Sequence, residues 1–108
     1  GRLVVCPRVP VQGWATLAQD LAALRVELRC DGRVVDRGQG TVVLDGPLNA
    51  LRLWIDAMAL HTPGWPIRPG DCVTTGTITD AWPLLPGQSW STTLSDARLS
   101  PLTLRTEP

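Results

Sequence analysis

The stretch that decides the fold is RVELRCDGRVVDRG, residues 25–38. Apolar side chains alternate with charged ones over residues 26–30, which is typical of a β-strand with one buried face. Asp31-Gly32 follows directly, and this dipeptide favours a tight hairpin turn, because both central residues of that turn need positive φ. The stretch therefore predicts two antiparallel strands joined by a two-residue turn.

The clearest helix lies downstream, in PLNALRLWIDAMAL at residues 47–60. It begins with a proline, which suits the first helical position. Its polar residues, Asn49, Arg52 and Asp56, form one narrow stripe. Roughly three quarters of the helix surface is apolar, so we expect this helix to be buried, with Trp54 in the core.

Further strands are predicted from Thr, Val and Trp content at residues 71–75, 89–94 and 101–106. The apolar run at residues 3–6 could form another, and residues 14–24 are ambiguous, although their alanines favour a helix. The order is a hairpin, one buried helix and then several strands. We therefore predict a mostly β fold of the α+β class.

The composition limits the classes of function that the chain can have. The chain has 108 residues, 44% hydrophobic and 19% charged, with a formal net charge of zero, so one globular domain is expected. A neutral chain offers no electrostatic footprint for nucleic acid or an anionic membrane. Neither a membrane-spanning apolar run nor a signal peptide is recognisable. We expect a soluble, cytoplasmic protein.

Few residues could carry chemistry. The chain has three cysteines and one histidine, with no C-x-x-C, E-x-E, D-x-D or H-x-H, so we predict no zinc site and no metal ligands. No lysine is present, which excludes Schiff-base chemistry. His61 is expected to cap the helix, and most acidic residues to lie solvated at turns or on outward strand positions. We predict no catalytic residue in this chain.

The stretch GDCVTTGTITDAWP, residues 70–83, places threonines on both sides of Gly76. A glycine within a strand often marks a bulge. It can also let a ligand approach the backbone, so that the amides of residues 76 and 77 and the hydroxyl of Thr77 donate to a carboxylate or enolate oxygen. The residues alone leave both interpretations open.

Several motifs occur together in one order: Gly38-x-Gly40, Gly46-Pro47, Ala50-Leu51, Pro69-Gly70-Asp71, Thr75-Gly76-Thr77 and Pro86-Gly87. In this order and spacing, the sequence resembles the fumarylacetoacetate hydrolase superfamily. It is most similar to the branch of 2-keto-4-pentenoate hydratase and 4-oxalocrotonate decarboxylase. The resemblance covers about residues 24–105, and residues 1–23 match only loosely, as a lead-in segment. Gln88 departs from the pattern, since the family usually has Asp there.

The resemblance implies a mixed β-roll and a divalent metal, Mg²⁺ or Mn²⁺. It implies water addition to, or C–C cleavage of, 2-oxo (2-hydroxydienoic) acids in aromatic-compound catabolism, through a metal-stabilised enolate. Thr75, Gly76 and Thr77 would contact the substrate's carboxylate or oxo end. The family's metal-binding carboxylates and catalytic lysine lie before the part that this chain matches.

We therefore expect residues 1–108 to be one domain, the C-terminal portion of a larger catalytic fold, whether truncated, split or a fragment. Alone it should be inactive. Its expected partners are a small 2-oxo acid and either copies of itself or a complementing N-terminal half, with no nucleic acid or membrane. The alternative is a catalytically inactive, degenerate homologue that serves as a binding or oligomerisation module.

Overall fold

The computed structural model describes residues 2–108. It contains two α-helices, one 3₁₀ turn and four strands. They follow the chain as α1 (Leu17–Ala23), β1 (Arg25–Cys30), β2 (Arg33–Gln39), the 3₁₀ turn (Gly40–Val42), α2 (Pro47–His61), β3 (Ser89–Leu94) and β4 (Thr103–Arg105). The predicted α+β class is confirmed, but the fold is not mostly β, because the two α-helices contain as many residues as the four strands.

The strands form one sheet in the order β2-β1-β3-β4, with every neighbouring pair antiparallel. The predicted hairpin is confirmed: β1 and β2 are joined at Asp31 and Gly32, which both adopt positive φ, at 49° and 80°. The register between the two strands shifts by one residue between Leu28 and Arg29, which marks a β-bulge. β1 is thus held locally by the hairpin and, on its other side, by the distant strand β3.

Alternation gives the sheet one apolar and one polar face. Val26 lies opposite Leu94, and Trp90 lies opposite both Cys30 and Leu104, so these side chains share a face. The intervening positions carry Glu27, Arg29, Ser91 and Thr93, and face the other way. The apolar face supplies much of the core, which consists of five buried hydrophobic residues: Leu24, Val26, Val43, Ala50 and Trp90.

This core is small for the chain. The accessible surface is 8251 Å², whereas a compact monomer of this mass exposes about 5,900 Å². The radius of gyration is 15.6 Å, against about 13 Å for a compact domain of this length. Much apolar surface is therefore left uncovered.

The prediction that the helix at residues 47–60 is buried is wrong for this chain. The helix itself forms, as α2, but Ala50 is its one buried residue. Leu53, Trp54 and Ile55 are 41%, 39% and 43% exposed, so the placement of Trp54 in the core is also wrong. The reason is that, within residues 2–108, the main element packed against α2 is α1, whose seven residues are too few to cover a helix of fifteen.

Two predicted strands do not form. Residues 71–75 and 3–6 lie in no strand, and Leu3, Val4 and Val5 are exposed. A strand needs a neighbour for its backbone hydrogen bonds, and the described sheet ends at β2 and β4 without pairing either segment.

The remaining predicted elements are confirmed in large part. Residues 89–94 form β3, and the strand predicted at residues 101–106 is the shorter β4. The ambiguous stretch at residues 14–24 contains α1. Within residues 2–108, neither helix has the length and apolar character needed to cross a membrane.

Three chain segments cross at the Gly38-x-Gly40 motif. A methyl group at Gly38 would collide with the carbonyl oxygen of Ile78, and one at Gly40 would collide with the carbonyl oxygen of Leu21. The end of β2 is thus pressed between the end of α1 and the stretch that follows Gly76. Glycine is required here because of close backbone approach, not because of a turn.

Candidate functional site

The predicted binding residues Thr75, Gly76 and Thr77 lie in a long segment, residues 62–88, that contains no helix or strand. Gly76 has φ +125°, a conformation that other residues rarely adopt. Thr75 is half-buried, whereas Gly76 and Thr77 are exposed. These three residues, called the threonine loop below, therefore form an accessible turn of backbone.

The interpretation of Gly76 as a strand bulge is wrong, because a bulge interrupts a ladder and neither neighbour of Gly76 belongs to a strand. The anion-binding interpretation stays a prediction. Across residues 2–108, the amides of Gly76 and Thr77 donate to no other backbone group. Both remain available to a ligand.

Contacts with β2 and the residues after it hold the threonine loop in place. A methyl group on Gly76 would lie 3.1 Å from Cγ1 of Val43, and Ile78 presses on Gly38 as described above. Further along, Oδ2 of Asp36 accepts hydrogen bonds from the backbone N–H of Asp80, at 2.9 Å, and from the indole Nε1–H of Trp82, at 3.1 Å. Residues 76–82 therefore run antiparallel to β2, across the face that carries Asp36 and Gly38.

Asp36 is a functional candidate that the sequence interpretation missed. Its other oxygen, Oδ1, accepts the backbone N–H of Arg37 at 2.7 Å. The Trp82 indole, and after it the amides of Asp80 and Arg37, lower the pKa of the Asp36 carboxyl. The carboxylate is therefore charged at neutral pH.

The bulge in the hairpin explains why Asp36 was expected to be solvated. Continuing the two-residue turn in regular register would place Asp36 opposite Glu27, on the polar face. The one-residue shift places it opposite Leu28, on the apolar face, where a carboxylate needs hydrogen-bond partners. No signal in the sequence marks the bulge.

A cleft of about 660 Å³ lies elsewhere, at one end of β1, β2 and β3. Its polar lining includes Arg25, Glu27 and Arg37, but not the threonine loop. Glu27 accepts hydrogen bonds from Arg29 at 3.0 Å and Arg37 at 2.8 Å, and these two guanidinium groups lower its pKa. The structure thus does not bring the predicted binding residues into this cleft.

A second charged cluster joins α1 and the preceding Trp14 to the loop after β3. The guanidinium of Arg98 lies 3.8 Å from the ring centroid of Trp14 and pairs with Asp20 at 2.8 Å and with Asp96. Arg98 holds the pKa of Asp96 at about 2. The Trp14 indole donates to Asp20 as well, at 2.6 Å. These contacts are internally satisfied, and so indicate a structural role.

The remaining candidates show no assembled chemistry. Residues 2–108 contain no group of three or more His, Cys, Asp or Glu side chains that could hold a metal ion, so this part of the chain does not fit the metal that the resemblance implies. All three cysteines are free. His61 ends α2 but Thr62 caps it, donating both its backbone N–H, at 2.8 Å, and its hydroxyl, at 3.1 Å, to the Met58 carbonyl. The expectation that His61 caps the helix is therefore corrected.

Part of the sequence is similar to named proteins. No protein-family model matches the chain. Over 59 residues, or 55% of the chain, the sequence is 42% identical to 2-keto-4-pentenoate hydratase from Paraburkholderia phymatum and to the protein of the same name from Burkholderia vietnamiensis. The matched part spans 22% of the length of each relative.

Solved structures agree with the sequence matches. The structure is similar to 4-oxalocrotonate decarboxylase from Pseudomonas putida G7, solved once with calcium and acetate and once with magnesium and adipate. Each match has a TM-score of 0.71 and 31% identity, and covers 81% of this chain and 32% of the decarboxylase. Over the part that they cover, the comparisons confirm the predicted resemblance to the hydratase and decarboxylase branch of the fumarylacetoacetate hydrolase superfamily.

Proposed function

We propose that this chain is the C-terminal part of a divalent-metal-dependent hydratase or decarboxylase that acts on 2-oxo (2-hydroxydienoic) acids in the catabolism of aromatic compounds. Its fold would be part of a mixed β-roll, completed by an N-terminal half. The observation that carries the proposal is the agreement of sequence and structure with 4-oxalocrotonate decarboxylase, at 31% identity and a TM-score of 0.71 over 81% of the chain.

The threonine loop would supply the contact to the substrate. The amides of Gly76 and Thr77 and the hydroxyl of Thr77 are donors, and donors fixed before the reaction stabilise a carboxylate or an enolate oxygen as negative charge develops. The positive φ of Gly76 gives the backbone the turn that such a cradle needs. Acetate and adipate in the decarboxylase structures are carboxylates, which fits a substrate of this class.

This chain would bind and orient the substrate rather than activate it. The described residues do not assemble ligands for Mg²⁺ or Mn²⁺, so we assign no reaction step to a metal on this chain. Ligands and the acid–base group would come from the other half of the fold. The proposal therefore predicts that the chain alone turns over no substrate.

The decisive experiment is complementation. The chain is co-expressed with the part of the P. phymatum hydratase that precedes the matched 59 residues. Hydration of 2-hydroxypenta-2,4-dienoate and decarboxylation of 4-oxalocrotonate are then measured with and without Mg²⁺. We expect a stable complex with Mg²⁺-dependent activity on one of the two substrates. A complex that forms but is inactive on both would contradict the proposed activity.

Thr77→Val tests the substrate contact within that complex. It keeps the shape of the side chain but removes the donor, so KM should rise about tenfold or more, as for loss of a hydrogen bond to a charged group. Thr74→Val is the matched control, because Thr74 is exposed and outside the threonine loop. Equal KM and kcat in the wild type and Thr77→Val would show that the loop is only structural.

A second candidate function is a catalytically inactive module that binds a partner or self-associates. The exposed apolar side chains of α2 and the large accessible surface favour it. It predicts a cooperative unfolding transition and a defined oligomer for the chain alone. Light scattering after gel filtration, combined with urea unfolding, measures both. A monomer that becomes stable only with the N-terminal half would favour the enzyme.

A further inference from the structure

The face of β2 that carries Asp36 and Gly38 is covered in an unusual way. Residues 76–82 cross it, with Ile78 against Gly38 and Trp82 bonded to Asp36. Within the described chain, no backbone hydrogen bond joins the two segments. Instead, the Asp36 carboxylate attaches the segment to β2 by accepting hydrogen bonds from the Asp80 backbone N–H and the Trp82 indole.

Asp36 is well placed to transmit the geometry of the sheet to the threonine loop. It is fixed on its own strand, since β2 pairs with β1 and Oδ1 accepts the adjoining Arg37 amide. Its partner Asp80 follows Thr77 by three residues, a separation that extended chain spans in about 10 Å. Gly38 and Gly76 permit the approach sterically but supply no hydrogen bond to it.

We propose that Asp36 is a positioning residue for the threonine loop: by holding Asp80 and Trp82 against β2, it fixes the direction in which the Gly76 and Thr77 amides point. The assignment of the loop to the substrate rests on the proposed function, whereas the positioning itself does not. Asp36 acts through the loop and contacts no substrate.

Asp36→Asn tests this most sharply. Asparagine has the same shape but only one acceptor oxygen, and Asp36 uses both of its oxygens as acceptors. Either the Arg37 amide or the Asp80 and Trp82 donors would then meet an NH₂ group. Amide hydrogen exchange, followed by NMR on the isolated chain, should become about tenfold faster at Asp80, with shifted resonances at Thr75, Gly76 and Thr77.

Trp82→Phe is a milder variant that leaves the carboxylate intact and removes one donor. It should shift the same loop resonances by a smaller amount, even if Asp36→Asn destabilises the sheet. Glu107→Gln is the control, because it changes the same kind of charge near the end of the chain, away from β2. It should leave the threonine loop unchanged.

Two results would overturn the proposal. In one, both variants alter Asp80 and residue 82 but leave the resonances of residues 75–77 in place. In the other, Asp80 exchanges equally fast in the wild type and in Asp36→Asn. Neither result depends on activity, so they are distinguishable from failure of the proposed function. In a complemented enzyme, Asp36→Asn should further raise KM about tenfold, with kcat changed less than about twofold.

Discussion

In the sheet, the apolar side chains of neighbouring strands cover one another, whereas on α2 they face outward. Two tryptophans make the difference measurable. Trp90, on β3, is 6% exposed, and Trp54, on α2, is 39% exposed. The sheet pairs four strands of this chain, whereas the main element packed against α2 is the short α1. An apolar helix surface of this kind is normally covered by a second layer.

The largest expected effect comes from exchanging these two tryptophans for alanine. Trp90→Ala removes a buried ring and its indole hydrogen bond to Gln88, so it should lower the free energy of unfolding by about 3–5 kcal/mol. Trp54→Ala should lower it by less than about 1 kcal/mol, because the ring is partly solvated already. Urea unfolding followed by circular dichroism measures both, and equal losses would contradict the comparison.

The crossing at Gly38 should be the next most sensitive point. Gly38→Ala introduces a methyl group into the carbonyl of Ile78, and such overpacking typically costs about 1–3 kcal/mol. At Gly64, after α2, a methyl group meets nothing. Gly64→Ala should therefore be nearly neutral in the same urea unfolding experiment. A neutral Gly38→Ala would mean that residues 76–82 do not lie against β2.

Acid should lower the stability of the fold. Asp96 has a pKa of about 2, below the usual value near 3.8, because Arg98 binds its charged form. A lowered folded-state pKa contributes stability above the unfolded-state pKa, and that contribution is lost as pH falls from about 4 to 2. Asp20, Glu27 and Asp36 shift in the same direction.

Melting temperature measured across that pH range tests this expectation. Asp96→Asn should flatten the pH dependence, because its side chain no longer titrates. Asp56→Asn on α2, where the partner Arg52 is exposed, serves as the control. A melting temperature that stays constant between pH 4 and 2 would contradict the prediction.

The smallest effect is expected at the free end of α2. Leu60 is 75% exposed, so Leu60→Gln should change the stability of the isolated chain by less than about 0.5 kcal/mol. It should nevertheless weaken association, whether with an N-terminal half or with a second copy, because it removes apolar surface available for contact. Sedimentation velocity with and without the N-terminal half measures the association, and urea unfolding of the isolated chain measures the stability. A large loss of stability would show that α2 is packed within this chain.

The elements that the sequence predicts correctly are those that local chemistry decides. Asp31-Gly32 specifies its turn through backbone conformation, and the proline and spacing of α2 specify a helix. Burial of α2 could not be predicted, because burial depends on which other segments are present to cover it. The face of Asp36 could not be predicted either, since one extra residue in β2 reverses it.

For the threonine loop too, the sequence predicts some features and not others. The positive φ of Gly76 agrees with its being glycine, so the special backbone was visible in the sequence. The strand predicted before it, at residues 71–75, does not form, because no strand of the described sheet pairs with it. The attachment of the loop to β2 depends on the side chain of Asp36, which lies forty positions before Gly76. No local sequence pattern predicts that contact.

The crossing of β2 with residues 21 and 78 also bears on the order of folding. The hairpin closes a short loop, whereas the crossing joins segments that lie far apart along the chain, whose closure entropy is larger. We expect the crossing to form after the rate-limiting step. Substitutions at Gly38 or Gly40 should then accelerate unfolding while leaving the folding rate nearly unchanged. The two glycines would thus keep the unfolding rate low, and so prolong the time for which the threonine loop stays packed against the sheet.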